Sequence, residues 1–71
     1  MMYWMVRFFN KMTNKSERIA VKATTGEIAC QGIEEWLKGN EIEYSSIDFV
    51  EQPMTAIFEV TPKYIVKRVG N

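Results

Sequence analysis

The first apolar run of the chain, residues 3–9, alternates between two sides as a β-strand requires. Aromatic and branched side chains, which strands favour, make up most of it. One side of the predicted strand carries Trp4, Val6 and Phe8. The other side carries Tyr3, Met5, Arg7 and Phe9. We assign the first set to the core and the second set to an outer face.

A second alternating run follows over residues 18–23. Its predicted core side carries Ile19, Val21 and Ala23. Its outer side carries Arg18, Ala20 and Lys22. The segment between the two runs is polar and turn-prone. The pattern therefore predicts an antiparallel hairpin with a loop of about 7 residues.

Residues 27–38 carry apolar side chains at helical spacing. Thr24 and Glu27 match a capping box, in which the threonine oxygen accepts from a first-turn amide and the glutamate reaches back. Gly39 and Asn40 predict the end of the helix, because glycine adopts the left-handed conformation at low cost.

The predicted helix has an apolar face and an acidic face. Its apolar face would pack on the hairpin through Ala29, Ile33, Trp36 and Leu37. Gly32 lies on the same face and would let the helix approach the sheet closely. Glu34 and Lys38 are four residues apart, a spacing that favours an ion pair.

The pattern after the helix predicts further strands. Residues 42–51 form one, in which a bulge at Ser45 and Ser46 would bring all the large apolar side chains to the core side. Residues 55–60 form the next. Residues 64–69 are open to two interpretations: a fifth strand, or a short helix capped by Thr61. We favour the strand, because short helices rich in β-branched residues are marginal.

These elements predict an α+β fold: a single helix on an antiparallel sheet of four to five strands, in the order β-β-α-β-β(-β). The chain has 71 residues. A chain of that length supports one small core, so we expect a single domain over residues 1–71.

The composition argues against an enzyme. The sequence has no histidine and one cysteine, Cys30. The commonest general base and metal ligand are therefore missing, and an internal disulfide is impossible. Cys30 lies at the edge of the apolar helix face, where a small packing residue is the simpler interpretation. We predict no catalytic, cofactor-binding or metal-binding residues and no cofactor.

The apolar start of the chain does not match a signal peptide, because Arg7 interrupts it and no small-residue cleavage site follows. No stretch approaches the length of a membrane span. We therefore expect a cytoplasmic protein without a membrane partner.

Charge is segregated along the chain although the total is zero. Residues 1–25 sum to +4, residues 26–61 to −7 and residues 62–71 to +3. The basic and acidic segments could neutralise each other after folding, or could form two surfaces of opposite sign that attract charged partners.

Two sets of residues are candidates for partner binding. The outer sheet face offers Tyr3, Met5, Arg7, Phe9, Arg18 and Lys22. Aromatic, Met and Arg side chains are enriched in interface cores and also in single-strand nucleic-acid platforms. The alternative is that the C-terminal segment folds across this face. The second set is acidic: Glu34, Glu35, Glu41 and Glu43. It is either a docking ridge for a basic partner or an ordinary solvated surface.

The layout of residues 3–38 resembles small phage-encoded ββα proteins. The residues that carry this resemblance are Tyr3, Met5, Val6, Phe8, Asn10, Ile19, Val21, Ala23, Thr25, Gly26, Glu27 and Ile28. Several proteins of that kind bind and inhibit a host enzyme or defence factor. The resemblance implies a compact stoichiometric binder in the host cytoplasm.

We therefore expect a non-enzymatic protein-binding module. Two alternatives remain open: a single-stranded nucleic-acid-binding domain that uses the aromatic and basic sheet face, and a structural homodimer formed through strand edges.

Overall fold

The computed structural model describes residues 2–69, which form one helix packed on one face of a five-stranded sheet. The elements are β1 (Met2–Asn10), β2 (Lys15–Ala23), α1 (Gly26–Gly39), β3 (Tyr44–Glu51), β4 (Phe58–Val60) and β5 (Val66–Arg68). The strand order across the sheet is β3-β1-β2-β4-β5. The predicted α+β class and element order are confirmed.

The sheet is mixed, which corrects the prediction of an antiparallel sheet. β1 pairs antiparallel with β2 and β3, and β4 pairs antiparallel with β5, but β2 and β4 are parallel. β1 has β2 on one side and β3 on the other. After β3 the chain crosses to the free edge of β2, where β4 runs in the same direction as β2. Residues 55–57, predicted as strand, belong to this crossing connection.

The β1–β2 hairpin is longer and its loop shorter than predicted. The strands pair as far as Asn10 and Lys15, which leaves a loop of residues 11–14. The side-chain oxygen of Asn10 accepts from the amides of Met12 and Thr13, at 2.9 and 3.2 Å. Asn14 takes a left-handed φ of 61°. These contacts of the Asn10 side chain allow a loop of residues 11–14, which is shorter than the loop predicted from the polar segment.

Helix α1 begins one residue later than the predicted capping box implies. Its N-cap is Thr25, whose Oγ1 accepts from the amide of Ile28 at 3.1 Å. Glu27 is then the second helical residue, one position short of the reciprocal contact that a capping box requires. At the other end Gly39 is helical, and the left-handed residue is Glu41, with φ 58°.

The predicted bulge in β3 is confirmed. The β1–β3 register shifts between Arg7 and Phe9, and Ser46 has a left-handed φ of 55°. The extra residue reverses the alternation of β3. As a result the large apolar residues on both sides of the bulge pack against the core: Ile42, Tyr44, Ile47 and Phe49.

The C-terminal segment forms the strand that we favoured, over residues 66–68. A tight turn precedes it, in which the amide of Tyr64 donates to the carbonyl of Thr61 at 2.8 Å. Tyr64 is left-handed, with φ 58°. This turn excludes the alternative helix capped by Thr61.

The core lies between α1 and the inner face of the sheet. Its buried members are Val6, Phe8, Val21, Ala23, Ala29, Ile33, Leu37, Phe58 and Val60. Gly32 provides the predicted close approach, since a Cβ atom there would lie 2.3 Å from Cγ1 of Val60. The rings of Trp36 and Phe58 pack at 5.2 Å between centroids.

Candidate functional site

The sheet face opposite α1 carries no second layer of helix or strand within residues 2–69. The C-terminal segment, which could have folded across this face, instead extends the sheet as β4 and β5. The outer positions of the first two strands form one surface, on which Arg7 and Arg18 are exposed and Tyr3, Met5, Phe9, Ala20 and Lys22 are half-buried. We call this surface the outer face.

An apolar row runs across the middle of the outer face. Val50, Met5 and Ala20 are direct cross-strand neighbours on β3, β1 and β2. The amide of Ile57 donates to the carbonyl of Ala20 at 3.0 Å, and the amide of Val69 donates to Ile57 at 2.9 Å. We call these five residues the apolar row. Val50 and Ile57 are each 41% exposed.

Polar rows flank the apolar row on both sides. On one side the cross-strand neighbours are Tyr3, Lys22, Glu59 and Lys67. The Lys22 ammonium lies 5.9 Å from the centroid of the Tyr3 ring. On the other side the neighbours are Asp48, Arg7 and Arg18. The charged side chains of these rows sum to +2.

Arg7 and Asp48 form a bidentate ion pair. The Nε and Nη2 atoms of Arg7 donate to the two carboxylate oxygens of Asp48, each at 2.8 Å. This contact holds the pKa of Asp48 below its usual value of 3.8 and raises the pKa of Arg7. Both side chains are about half exposed, at 50% and 57%. The positive charge of Arg7 is therefore neutralised within the sheet.

Beside this ion pair the outer face has a concavity of about 430 Å³. Its lining includes Phe9, Ser16, Arg18 and Ser46 as well as the Arg7–Asp48 pair. Arg18 is exposed and makes no ion pair within residues 2–69. The lining also includes Phe8 and Glu17. The Glu17 carboxylate accepts from the side-chain amide of Asn10 at 2.7 Å. The concavity thus combines the Arg18 guanidinium, two hydroxyl groups and aromatic rings with a second carboxylate beside that of Asp48.

The acidic candidates lie away from the outer face, on α1 and in the connection from α1 to β3. Glu35, Glu41 and Glu43 are exposed. Glu34 is half-buried, and its carboxylate accepts from the Tyr44 hydroxyl at 2.7 Å. The predicted Glu34–Lys38 ion pair is not formed within the described residues. Tertiary contact with β3 has replaced a local helical contact.

The Tyr44 hydroxyl and the Cys30 thiol both have raised pKa values. Burial, followed by the hydrogen bond to Glu34, raises the pKa of Tyr44 to about 12. Burial also raises the pKa of the Cys30 thiol to about 11, and the negative charge of Glu34 adds to the effect. At neutral pH Cys30 is a protonated, poorly nucleophilic thiol.

Two features are absent from residues 2–69. No group of three or more Cys, Asp or Glu side chains is placed to hold a metal ion. No helix in this part of the chain is long and apolar enough to cross a bilayer.

The structure brings together the six candidates of β1 and β2 on one surface, and leaves the four acidic candidates on α1 and in the connection from α1 to β3. Val50, Ile57 and Val69 also belong to the outer face and were not among the predicted binding residues. Val50 and Ile57 each adjoin a core residue in the chain, Phe49 and Phe58, which is the signal for an outer position. The strand order that brings them beside Met5 and Ala20 was not predicted.

Comparison with known proteins gives no relative. The chain matches no protein-family model, no curated protein sequence and no solved structure.

Proposed function

We propose that this chain is a non-enzymatic protein-binding domain that binds its partner through the outer face. The observation that carries the proposal is the apolar row across the sheet face opposite α1, with Val50 and Ile57 exposed and polar rows on both sides. Protein interfaces have this organisation, with an apolar centre and a polar rim. The net positive charge of the rim favours a partner whose contacting surface is acidic as well as apolar.

The mode of action in this proposal is stoichiometric: the domain covers a surface of its partner. The resemblance of the sequence layout to phage-encoded inhibitors of host enzymes or defence factors supports this mode, and the host cytoplasm is part of the same proposal. The pairing of Arg7 with Asp48 supports a protein partner over nucleic acid, because it removes a cation from the phosphate-binding potential of the face.

A single-stranded nucleic acid is the second candidate ligand. It is favoured by one contact, the Lys22 ammonium over the Tyr3 ring, which is the kind of pair that stacks on a base beside a phosphate. Binding of a mixed-sequence oligonucleotide at low salt, weakening steeply as salt rises, would support this candidate. Absence of such binding would leave the protein partner as the proposal.

The proposal is tested by capture from the lysate of the host cell with matched charge variants. Val50→Glu and Ile57→Glu place a carboxylate on opposite sides of Met5 and Ala20 in the apolar row, at positions exposed enough to tolerate it. Gln31→Glu makes the same change in charge on the exposed side of α1. Each variant is first shown to retain the cooperative thermal transition of the parent protein.

We expect a defined protein to be captured by the parent and by Gln31→Glu, and at least tenfold less of it by either variant of the apolar row, as measured by quantitative mass spectrometry. Capture that is unchanged by both row variants would contradict the proposal. So would capture lost only with Gln31→Glu, which would assign binding to the acidic helix surface.

A further inference from the structure

Resting on the proposed function, we infer that the concavity beside Arg18 binds a carboxylate side chain of the partner. Three charged residues form one row of the outer face: Asp48, Arg7 and Arg18.

Arg7 and Arg18 are direct cross-strand neighbours on β1 and β2. Like charges in such positions repel each other. Asp48 reaches Arg7 from the opposite strand and neutralises it through two hydrogen bonds. The row therefore keeps one positive charge, that of Arg18, which makes no ion pair within the described residues. A guanidinium group of this kind matches the two oxygens of a carboxylate.

The donors around Arg18 suit an anionic side chain. The lining of the concavity also holds the carboxylate of Glu17, which is engaged by the side-chain amide of Asn10 at 2.7 Å. The concavity of about 430 Å³ includes the serines Ser16 and Ser46, whose hydroxyl groups can donate to carboxylate oxygens. The ring of Phe9 provides an apolar wall for the methylene groups of a glutamate. Ser46 is brought here by the left-handed bulge of β3, so the bulge shapes the site as well as the strand.

The position of Arg18 also defines the spacing of the partner's groups. Arg18 and Ala20 are two residues apart on β2, and Ala20 belongs to the apolar row. Two residues of a strand span about 7 Å. A partner segment that places an apolar side chain on the row and a carboxylate in the concavity must hold these groups about 7 Å apart. An extended segment with the two residues at positions i and i+2 meets this requirement.

The test uses two blocked tripeptides, N-acetyl-Leu-Ala-Glu-amide and the uncharged N-acetyl-Leu-Ala-Gln-amide, titrated into ¹⁵N-labelled protein at low ionic strength. We expect saturable amide shifts at residues 16–18 and 46–48 with the glutamate peptide, and at least tenfold weaker binding of the glutamine peptide. Equal shifts with the two peptides would overturn the inference.

A matched pair of variants separates a specific site from general charge attraction. Arg18→Gln and Arg68→Gln remove the same charge from exposed positions, one in the concavity and one on β5. We expect Arg18→Gln to weaken binding of the glutamate peptide at least tenfold and Arg68→Gln to leave it within twofold. Equal effects of the two variants would overturn the inference.

These outcomes are distinguishable from those of the lysate experiment. If the peptides fail to bind but Val50→Glu still abolishes capture, the carboxylate site is wrong and the protein-binding face stands. If the peptides bind as expected but the variants of the apolar row leave capture unchanged, the proposed function fails and the anion site remains.

Discussion

Single residues decide how closely the two layers of this protein pack. Gly32 faces the side chain of Val60, which is fully buried and branched at Cβ. A branched side chain has few rotamers into which it can move. The close contact between α1 and β4 therefore depends on the absence of a side chain at Gly32. This packing offsets the low helix propensity of glycine.

Replacement of Gly32 with alanine tests this packing. A Cβ atom at 2.3 Å from Val60 forces α1 away from β4. We expect the overpacking to outweigh the better helix propensity of alanine and to lower the free energy of unfolding by about 1–2 kcal/mol. Urea denaturation at 25 °C measures the difference.

The control for this prediction is Gly39→Ala, because a Cβ atom on Gly39 has no neighbour within 4 Å. We expect it to raise the free energy of unfolding by about 0.5 kcal/mol through helix propensity and the unfolded state. The double variant Gly32→Ala, Val60→Ala should lose less stability than the two single changes together. Equal effects of Gly32→Ala and Gly39→Ala would show that the close approach is not important.

At the scale of elements, β3 depends on its bulge. Without the extra residue, Ile42 and Tyr44 would point to the side opposite Ile47 and Phe49, and half of these apolar side chains would leave the core. The bulge also interrupts an edge strand, which reduces its capacity to pair with another chain. One irregularity therefore completes the core, blunts an edge and positions Ser46 on the outer face.

Ser46→Gly tests the conformational cost of the bulge. A non-glycine residue in the left-handed region costs about 1–2 kcal/mol, and glycine removes the steric part of that cost. We expect Ser46→Gly to raise the free energy of unfolding by about 1 kcal/mol in the same denaturation experiment. Ser45→Gly is the matched control, since Ser45 has no positive φ.

We expect Ser45→Gly to lower the free energy of unfolding by about 0.5–1 kcal/mol, because glycine in a strand loses more chain entropy on folding. If both serine variants destabilise the protein to the same extent, the left-handed conformation of Ser46 is not a source of strain.

At the scale of the whole molecule, the charge distribution opposes self-association through the outer face. Two copies packed face to face would bring two surfaces of net charge +2 together. The sheet edges offer little more, because β3 is interrupted by its bulge and β5 has 3 residues. A partner of opposite charge meets neither obstacle.

We therefore expect the isolated protein to be a monomer. Light scattering coupled to size-exclusion chromatography should give a molar mass of 8.3 kDa from micromolar to near-millimolar concentration. The measurement is repeated at high salt, which screens the repulsion between exposed charges. A dimer at both salt concentrations would support the structural homodimer instead. A dimer at high salt alone would show that charge is what keeps the copies apart.

The sequence predicted correctly those features that depend on residues close together in the chain. The two sides of β1 and β2, the apolar face of α1 and the bulge of β3 all follow from alternation or helical spacing, which neighbouring residues set by themselves. The predicted ends of α1 were wrong by one or two residues. Thr24 and Thr25 are the same residue type, so the sequence does not distinguish which of them caps the helix, and at the other end the left-handed residue is Glu41 and not Gly39.

By itself, therefore, the sequence determined which side of each early element is apolar, because side-chain direction repeats with the local backbone geometry. Only the tertiary structure decided which strands are neighbours. The parallel pairing of β2 with β4, the neutralisation of Arg7 by Asp48 and the assembly of the apolar row from three strands and the residues beside β4 and β5 all join residues far apart in the chain. Such contacts depend on register and strand order, which the folded core selects as a whole.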